Sequence, residues 1–372
     1  MKLVVISSSP LVEKDGAYSA YSPYIKEMEI WARHSDKIAF FSPIWKSDNG
    51  LLISKVNFPV TQLFVAKEFN IKSFSEIINA LRYSFHNFYH LFASMMWADH
   101  IHLRCPGNIG LMGCIVQLFF PWKPKTAKYA GNWDPNAIQP WAYKLQRWIL
   151  SNTLLTKNMQ VLVYGEWEGQ SKNIKSFFTA SYTESDKLPV VARKLVSCIS
   201  VVFVGTLSPG KRPLYAVQLI EALSKNGIDI TLSIYGHGKE LASLQQYIAE
   251  NSLGQIILLK GNQPQEVIRH AYIASHFVIL PSRSEGWPKA IAEGMFWGCV
   301  PIASRVSCLA NMLDNGNRGL LLNMDFEQDT NLIRNAINDP RRYEEIAAKG
   351  IEWSRKYTLD LFENEIKALL RR

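Results

Sequence analysis

The sequence predicts an α/β protein with two Rossmann-like domains whose parallel sheets face each other across a cleft. The chain has 372 residues, which is long for a single core, and 48% of them are hydrophobic, as in ordinary soluble proteins. Short β-rich runs alternate with longer segments of helical period, which is typical of βαβ units. Disorder, collagen-like repeats and a disulfide scaffold are therefore excluded as the main architecture.

The first half of the chain begins with a buried strand and alternates from there. The predicted strands are Leu3–Ser7, Lys37–Phe41, Ile101–Leu103, Ala127–Tyr129 and Val161–Tyr164. The predicted helices are Tyr21–Ala32, Ser73–Phe92 and Ile109–Phe120. We assign residues 1–190 to an N-terminal domain and the polar segment Tyr182–Lys194, which contains Pro189, to a linker.

The second half is the more regular repeat. The predicted strands are Ser200–Val204, Ile230–Tyr235, Ile256–Lys260, Phe277–Leu280, Val300–Ala303 and Gly319–Leu322. The predicted helices are Pro213–Lys225, Glu240–Asn251, Pro264–Ala274 and Pro288–Trp297. Residues 191–352 form the C-terminal domain, and residues 353–372 form a helix that returns to the N-terminal domain. Because ligands bind outside the carboxyl ends of such strands, the loops that follow strands are the places to seek a site.

Cysteine content and charge indicate the compartment and the partner. The five cysteines form no CxxC pair and have no zinc-ligand spacing, which favours a reducing, cytoplasmic setting. The longest apolar stretch, Ile109–Trp122, is short of the ~20 residues of a membrane helix. The net charge is +9, and residues 1–190 hold 20 basic and 14 acidic residues. A basic half suits a phosphate-bearing or membrane-surface partner, or simply solubility.

The most informative segment is a strand end, a loop and a helix start. Glu285 lies in the loop, and Glu293 follows after seven intervening residues, beyond the first helical turn. The first N–H groups of a helix bind anions, so a nucleotide diphosphate fits there, while the two carboxylates suit sugar and ribose hydroxyls. The other candidate donor-binding residues of the segment are Ser282, Gly286, Trp287 and Pro288.

In this setting, Glu285 and Glu293 resemble the Glu-x7-Glu signature of the family 4 glycosyltransferases, retaining enzymes with a GT-B fold. The resemblance covers roughly residues 201–322, and the N-terminal half is similar only in pattern. It implies that Glu285 contacts the donor sugar and Glu293 the ribose. It also implies a metal-independent reaction without a cofactor, in which a UDP- or GDP-linked sugar is the co-substrate. Outside this setting, a pair of solvated glutamates would be the simpler explanation.

A second segment predicts a strand, a turn and a helix. Lys211 lies at the turn, where an ammonium can neutralise charge on a departing diphosphate; a solvated basic turn is the alternative. It resembles the phosphate-binding turn of the family, except that Thr206 stands where the family has its first basic residue and Arg212 is the candidate substitute. Gly236-His237-Gly238 resembles the Gly-x-Gly loop that approaches the nucleotide in the family. The strand end at Asn262 is where the family usually contacts the base through main-chain groups. These donor-binding candidates are Gly205, Gly236, His237, Gly238 and Asn262.

The N-terminal half contributes fewer recognisable residues. The family places a glycine-containing loop beside the diphosphate, for which Gly16 is the candidate. Many members carry a histidine after the strand predicted at Ala127–Tyr129; this sequence has none there, and Asn132 is the candidate catalytic replacement. The strand-end residues that we expect on the acceptor side are Arg104, Trp133 and Glu166, and we expect Trp167 to face the cleft as well.

Two further features have structural as well as functional interpretations. His102 is more typical of a buried core histidine than of a ligand, and we predict no metal site. In Trp141–Ile149, Trp141 and Trp148 share a helical face; packing is the favoured interpretation and contact with lipid headgroups the alternative. Nucleic acid is not an expected partner, because no recognised binding module is present.

We therefore expect a cytoplasmic hexosyltransferase, peripheral at the inner membrane face, that moves a sugar from a nucleoside-diphosphate donor to an acceptor hydroxyl. The expected acceptor is a glycan or a lipid-linked glycan of cell-surface polysaccharide or glycolipid synthesis. The alternatives are a non-catalytic subunit that binds a nucleotide sugar and a nucleotide-sugar epimerase on the same fold. A Rossmann dehydrogenase is disfavoured because no GxGxxG follows the first strand.

Overall fold

The computed structural model describes residues 1–50, 52–68, 74–190, 193–196 and 198–371, without the side chains of residues 74–82. Contacts divide the chain into two compact units. Unit 1 comprises Met1–Phe177 and Phe362–Arg372, and unit 2 comprises Phe178–Leu361. The C-terminal end of the chain thus belongs to the same unit as the N-terminus, as the predicted returning helix requires.

Unit 1 is an α/β unit around a parallel sheet. Its strands are β1 (Lys2–Ile6), β2 (Leu11–Lys14), β3 (Ala17–Tyr21), β4 (Lys37–Ser42), β5 (Ile44–Trp45), β6 (Ile53–Lys55), β7 (Val60–Val65), β8 (His100–Cys105), β9 (Lys125–Tyr129), β10 (Met159–Tyr164) and β11 (Ile174–Phe177). Its first helices are α1 (Ser22–Arg33), α2 (Phe74–Trp97), α3 (Asn108–Val116) and α4 (Trp141–Ser151). Among the described residues, seven parallel strands have the order β11-β10-β9-β8-β1-β4-β7.

Unit 2 repeats this architecture. Its strands are β12 (Ile199–Val204), β13 (Ile230–Tyr235), β14 (Ile257–Gly261), β15 (Phe277–Leu280), β16 (Val300–Ser304) and β17 (Leu320–Leu322). The helices are α5 (Pro213–Lys225), α6 (Leu241–Glu250), α7 (Gln265–Ala274), α8 (Lys289–Phe296), α9 (Leu309–Met312), α10 (Phe326–Ile337), α11 (Pro340–Ser354) and α12 (Leu359–Leu370), which ends in unit 1. The described parallel sheet has the order β14-β13-β12-β15-β16-β17.

A small sheet in unit 1 is absent from the sequence-based prediction. β2 and β3 form a hairpin in a four-stranded sheet of order β5-β2-β3-β6. Asp15 and Gly16 make its two-residue turn, both with positive φ (51° and 72°), as a type I′ turn requires. The strands are two to five residues long, too short for periodicity to predict them.

The predicted linker is folded onto unit 2. Tyr182 is buried, with its ring 4.8 Å from that of Phe296 and 5.2 Å from that of Trp297. The boundary therefore falls before Phe178, earlier than the expected position at residue 191, which lies outside the described residues. The sequence did not reveal that the segment packs on unit 2, because its residues are mostly polar and a single aromatic side chain, Tyr182, anchors it.

Several predicted helix limits change. Ser73, the expected start of α2, lies outside the described residues. The single helix predicted from Trp353 is two helices, because α11 ends at Ser354 and the Thr358 hydroxyl caps α12 by accepting from Leu361 N–H at 3.3 Å. The sequence patterns predict neither α10 nor α11. Across the part of the chain that the structure describes, no helix has the length and apolar character needed to cross a membrane.

Candidate functional site

The strand order of unit 2 creates a topological switch point. β12 pairs with β13 on one side and with β15 on the other, so successive connections leave β12 in opposite directions. Open parallel sheets bind ligands at the carboxyl ends of the two strands at such a point. The loops there are residues 205–212 after β12 and residues 281–288 after β15, which carry most of the predicted donor residues.

Two predicted catalytic residues meet at this switch point. Lys211 Nζ lies 2.5 Å from Glu285 Oε1. The carboxylate is nearly buried, at 6% exposure, whereas 29% of the Lys211 side chain is exposed. A main-chain bond from Arg283 N–H to the Gly210 carbonyl at 2.8 Å joins the same two loops. The arrangement sets a buried carboxylate beside an accessible cation, which suits a sugar next to a phosphate.

The loop after β16 fixes the loop that carries Glu285. Ser307 Oγ accepts a hydrogen bond from the Glu285 backbone N–H at 3.1 Å. The Ser304 hydroxyl donates to the Ser282 carbonyl, and both of these serines have no exposed surface. The sequence interpretation missed Ser304 and Ser307. The available signal was their position in the sequence: Ser304 ends β16, the strand beside β15, and Ser307 follows it.

Cys308 adds a third bond to the same loop. Its thiol donates to the Gly286 carbonyl at 3.2 Å. Burial, reinforced by the nearby Glu285 charge, raises the pKa of this thiol to about 12. The sulfur therefore keeps its proton at neutral pH and acts as a donor that positions the loop.

Gly236 and Gly238 are required by the packing of two loops against each other. A Cβ at Gly236 would lie 1.9 Å from the Gly205 carbonyl oxygen, and one at Gly238 would lie 2.3 Å from the Leu207 carbonyl oxygen. The glycines thus allow the loop after β13 to pack against the loop after β12, joined by the bond from Leu207 N–H to the His237 carbonyl at 3.1 Å. Close approach to a nucleotide stays a prediction.

Glu293 faces a different group of residues from Glu285. Its carboxylate accepts from the Ser181 hydroxyl and from Tyr272 OH at 3.3 Å, and Lys289 Nζ lies 3.9 Å away. Burial, followed by the Glu293 charge, raises the pKa of Tyr272 well above its ordinary value, so the phenol stays a donor. The carboxylate predicted to bind the ribose is therefore hydrogen-bonded to protein side chains in this structure.

The start of α8 is less open to anions than expected. α8 begins at Lys289, after Pro288. The Lys289 N–H donates to the Trp287 carbonyl at 2.9 Å and the Ile291 N–H to the Pro288 carbonyl at 3.0 Å, so two of the three first-turn N–H groups have partners. Trp287 is stacked 6.1 Å from Trp353, which makes it a packing residue as well as a donor-site candidate.

The remaining donor candidates are scattered along strand ends. Thr206, His237 and Asn262 are exposed, and Arg212 is half-buried. Arg212 has a positive φ of 50° at the start of α5. Gly16 forms the tip of the β2–β3 hairpin, whereas residues 7–10 directly follow β1, and its contact with a diphosphate stays a prediction. Its positive φ is explained by the turn.

Arg104, an acceptor-side candidate, belongs to a buried charge cluster. Its guanidinium pairs with Glu27, whose other oxygen lies 2.9 Å from Lys128 Nζ. Although burial opposes ionisation, Arg104 and Lys128 hold the pKa of Glu27 below its ordinary value. Arg104 also lies 5.2 Å from the Tyr24 ring centre. The cation is thus paired inside unit 1 in this structure, and contact with an acceptor stays a prediction.

The other candidates of unit 1 differ in exposure. Trp133 is 3% exposed and packs 4.8 Å from Tyr129, so the structure places it in the core and not toward an acceptor. Asn132 Oδ1 accepts from Asp134 N–H at 2.9 Å, which orders the loop after β9. Glu166 is exposed, and Trp167 Nε1 donates to the Tyr164 carbonyl at 2.9 Å.

His102 is a core residue, as predicted. It has no exposed surface, its ring lies 4.0 Å from that of Trp31 at a tilt of 34°, and its Nδ1 bonds Thr126 Oγ1 at 2.8 Å. His100 Nε2 shares the same hydroxyl at 3.1 Å. Over the described ranges, no three His, Cys, Asp or Glu side chains are grouped so that they could hold a metal.

Comparisons with known proteins agree with this architecture. Residues 197–353 match the family model described as Glycosyl transferases group 1. An uncharacterized glycosyltransferase of Methanocaldococcus jannaschii is 31% identical over 157 residues, 42% of this chain and 43% of that protein. The GDP-mannose:cellobiosyl-diphosphopolyprenol alpha-mannosyltransferase of Xanthomonas oryzae is 27% identical over 128 residues, 34% of each chain. The matches span less than half the length of these curated relatives.

Solved structures match along the whole chain. Anabaena HepE, in complex with UDP and glucose, has a TM-score of 0.70 at 15% identity and covers 100% of this chain and 99% of its own. The lipopolysaccharide outer core galactosyltransferase WaaB, in its apo form, has a TM-score of 0.68 at 16% identity with the same coverage. The fold is that of the GT-B glycosyltransferases, with two Rossmann-like units, as the sequence predicted.

Proposed function

We propose that this chain is a retaining glycosyltransferase that moves a sugar from a nucleoside diphosphate to an acceptor hydroxyl. The observation that carries the proposal is the contact of Lys211 with Glu285 at the switch point of unit 2. A donor there has its diphosphate beside the ammonium and its sugar beside the carboxylate. Strand-end loops are where parallel sheets hold nucleotides, which supports this orientation.

In the proposed reaction, the bond between sugar C1 and the diphosphate oxygen breaks, and the electron pair leaves with the diphosphate. Lys211 stabilises the developing negative charge. The acceptor oxygen forms its bond to C1 on the face that the diphosphate leaves and passes its proton to a departing phosphate oxygen. Glu285 holds a hydroxyl of the donor sugar, and the product keeps the anomeric configuration of the donor.

We assign Glu293 to the ribose. In this structure Ser181 and Tyr272 occupy its carboxylate, so we propose that ribose hydroxyls replace the Ser181 bond when the donor binds. We also propose that no metal takes part, since Lys211 supplies the positive charge that a divalent cation would otherwise give the diphosphate.

The donor and the acceptor are proposed by class. UDP- and GDP-linked sugars are the donors to test, because HepE was solved with UDP and glucose and the Xanthomonas relative is named for GDP-mannose. We propose a glycan or lipid-linked acceptor of polysaccharide or glycolipid synthesis, reached in the cytoplasm at the inner membrane face. The basic residues 1–190 support such contact.

The test is donor binding and turnover by the full chain. A panel of UDP-, GDP- and ADP-sugars is scored for thermal stabilisation, released nucleotide and, by NMR, the anomeric state of the product, each with and without chelator. Chelator-insensitive release from one donor with retained configuration supports the proposal. Stabilisation without turnover under any acceptor mixture indicates the binding subunit, and an epimerised donor without acceptor indicates the epimerase.

A further inference from the structure

One side of α2 is apolar where it meets solvent. Between residue 83 and Trp97, the exposed positions are Phe85, Phe88, Tyr89, Phe92 and Met96. Their spacing puts them on one side of the helix. Phe85 is 78% exposed and Tyr89 is 70% exposed, yet no Asp, Glu, Lys or Arg occurs from residue 83 to 97. The solvent side of an ordinary amphipathic helix carries charged residues. An exposed apolar side of this kind indicates an interaction surface.

The other side of α2 already has its partner. Asn87, Leu91 and Met95 have no exposed surface. Asn87 exchanges two 2.8 Å hydrogen bonds with the backbone of Lys67 just after β7, which fixes the helix on unit 1. The exposed rings are therefore not a core face that has failed to pack.

A second segment extends the apolar surface. Phe119 is 54% exposed, and its ring centroid lies 6.2 Å from those of Phe88 and Phe92. Trp122 is 65% exposed and lies 5.9 Å from Phe120, which is itself 4.9 Å from Phe92. The two segments thus form one continuous surface. We call it the aromatic face, defined by Phe85, Phe88, Tyr89, Phe92, Phe119 and Trp122.

Positive charge accompanies the aromatic face. Residues 83–157 include seven Lys and Arg against two Asp and no Glu, and four of the seven reach the surface: Lys123, Lys144, Arg147 and Lys157. Lys123 Nζ lies 5.6 Å from the ring centroid of Phe120, beside the aromatic face. Asn158 donates to the Pro121 carbonyl at 3.0 Å, which places the exposed Lys157 next to the loop of Trp122. Anionic headgroups attract such lysines, whereas a second copy of the chain would bring the same positive charges together.

We propose that the aromatic face docks unit 1 on an anionic bilayer surface. Aromatic rings are favoured at the level of the headgroups, and the lysines contact lipid phosphates from the side. This proposal does not depend on the proposed reaction, because vesicle binding is measured without donor or acceptor. It also selects a different surface from α4, where Trp141 and Trp148 are exposed but Lys144 lies between them.

The test is sedimentation of the full chain with vesicles of phosphatidylcholine alone and of equal parts phosphatidylcholine and phosphatidylglycerol. The double variant Phe85→Glu, Trp122→Glu places carboxylates on the aromatic face, and Trp148→Glu is the matched control on α4. We expect the wild type and Trp148→Glu to bind the anionic vesicles. The double variant should bind about tenfold more weakly or not at all, because it loses two aromatic rings that would insert among the headgroups and gains two carboxylates that anionic lipids repel. Unchanged thermal stability shows that the variants fold.

Three results would overturn the proposal. The wild type does not sediment with anionic vesicles, the double variant binds as well as the wild type, or Trp148→Glu loses binding while the double variant keeps it. Light scattering after gel filtration is run in parallel. If the wild type is a dimer and the double variant a monomer with equal vesicle binding, the aromatic face joins two copies of the chain and the bilayer assignment is wrong.

Discussion

Ser307 Oγ accepts a hydrogen bond from the backbone N–H of Glu285 at 3.1 Å, between the loops that follow β15 and β16. This bond holds the backbone of a residue whose carboxylate meets Lys211. Ser307 is thus a positioning residue, and its contribution should be visible in catalysis more than in stability.

Ser307→Ala should lower kcat about fivefold with little change in KM or melting temperature, because one hydrogen bond of about 1 kcal/mol is lost from a loop that needs a fixed geometry. Steady-state kinetics on the accepted donor measures this. Ser243→Ala, which removes a hydroxyl bonded to the Glu240 carbonyl on exposed α6, is the control. Equal kinetics for both variants would remove the positioning role.

Gly236→Ala should destabilise unit 2. Its Cβ would stand 1.9 Å from the Gly205 carbonyl oxygen, so the two loops must separate, at a cost of roughly 3 kcal/mol or more. Gly254→Ala is the control, because no atom lies within 4 Å of its Cβ. Denaturant unfolding of both variants decides the matter, and a Gly236→Ala protein as stable as the control would contradict the packing account.

Glu27→Gln should lower the free energy of unfolding by roughly 3–5 kcal/mol at neutral pH, because it leaves Arg104 and Lys128 without their buried anion. The folded-state pKa of Glu27 lies below the unfolded value, so its stabilisation is present above about pH 4.3 and is lost as pH falls through the folded pKa. Unfolding measured from neutral to acid pH should show the two proteins converging.

The control for that cluster is Glu13→Gln, which breaks the exposed pair with Lys46. It should change stability by less than about 1 kcal/mol. A similar loss in both variants would mean that burial of the Glu27 cluster has no special importance.

His100 should make the protein sensitive to mild acid. Burial lowers its pKa to about 4, and the unfolded value is about 6.5. The unfolded state therefore takes up the proton first, and stability should fall by roughly 3 kcal/mol as the pH drops from about 6.5 to 4. His100→Gln should make this part of a stability-against-pH curve less steep, and His102, whose pKa burial also lowers, should account for part of the remaining slope. The exposed His270→Gln should leave the slope unchanged. Parallel curves for wild type and His100→Gln would rule the mechanism out.

The sequence predicts the repeating part of the fold because βα units alternate between short strand-like apolar runs and longer segments of helical hydrophobic period. β12 and β15, the strands at the switch point of unit 2, are among those predicted, and so are β1 and β8, neighbouring strands in the sheet of unit 1. Lys211 and Glu285 could each be predicted as a site residue because each lies in a loop that follows a predicted strand, whereas their mutual contact appears only in the structure. The hairpin at Gly16 could not, because its short strands carry no period.

Other parts depend on contacts that have no local signature. Lys128 lies within a strand and is 1% exposed, and the buried charge is compensated by Glu27, which is 101 residues away in sequence. Ser307 follows Glu285 by 22 residues in sequence and meets it only because β15 and β16 are neighbours. Trp133 looked accessible after a strand end, but its ring packs inward on Tyr129.

The most direct test of the central claim compares Lys211→Met with Lys225→Met for nucleotide release from the accepted donor. Lys225 also pairs with a glutamate of unit 2, Glu221, at 2.7 Å, but on the helix α5 and outside the switch-point loops. Loss of an ammonium that stabilises the leaving diphosphate should reduce kcat by about a hundredfold or more, with Lys225→Met near wild type. Equal turnover of the two variants would contradict the assignment of Lys211 and, with it, the proposed site.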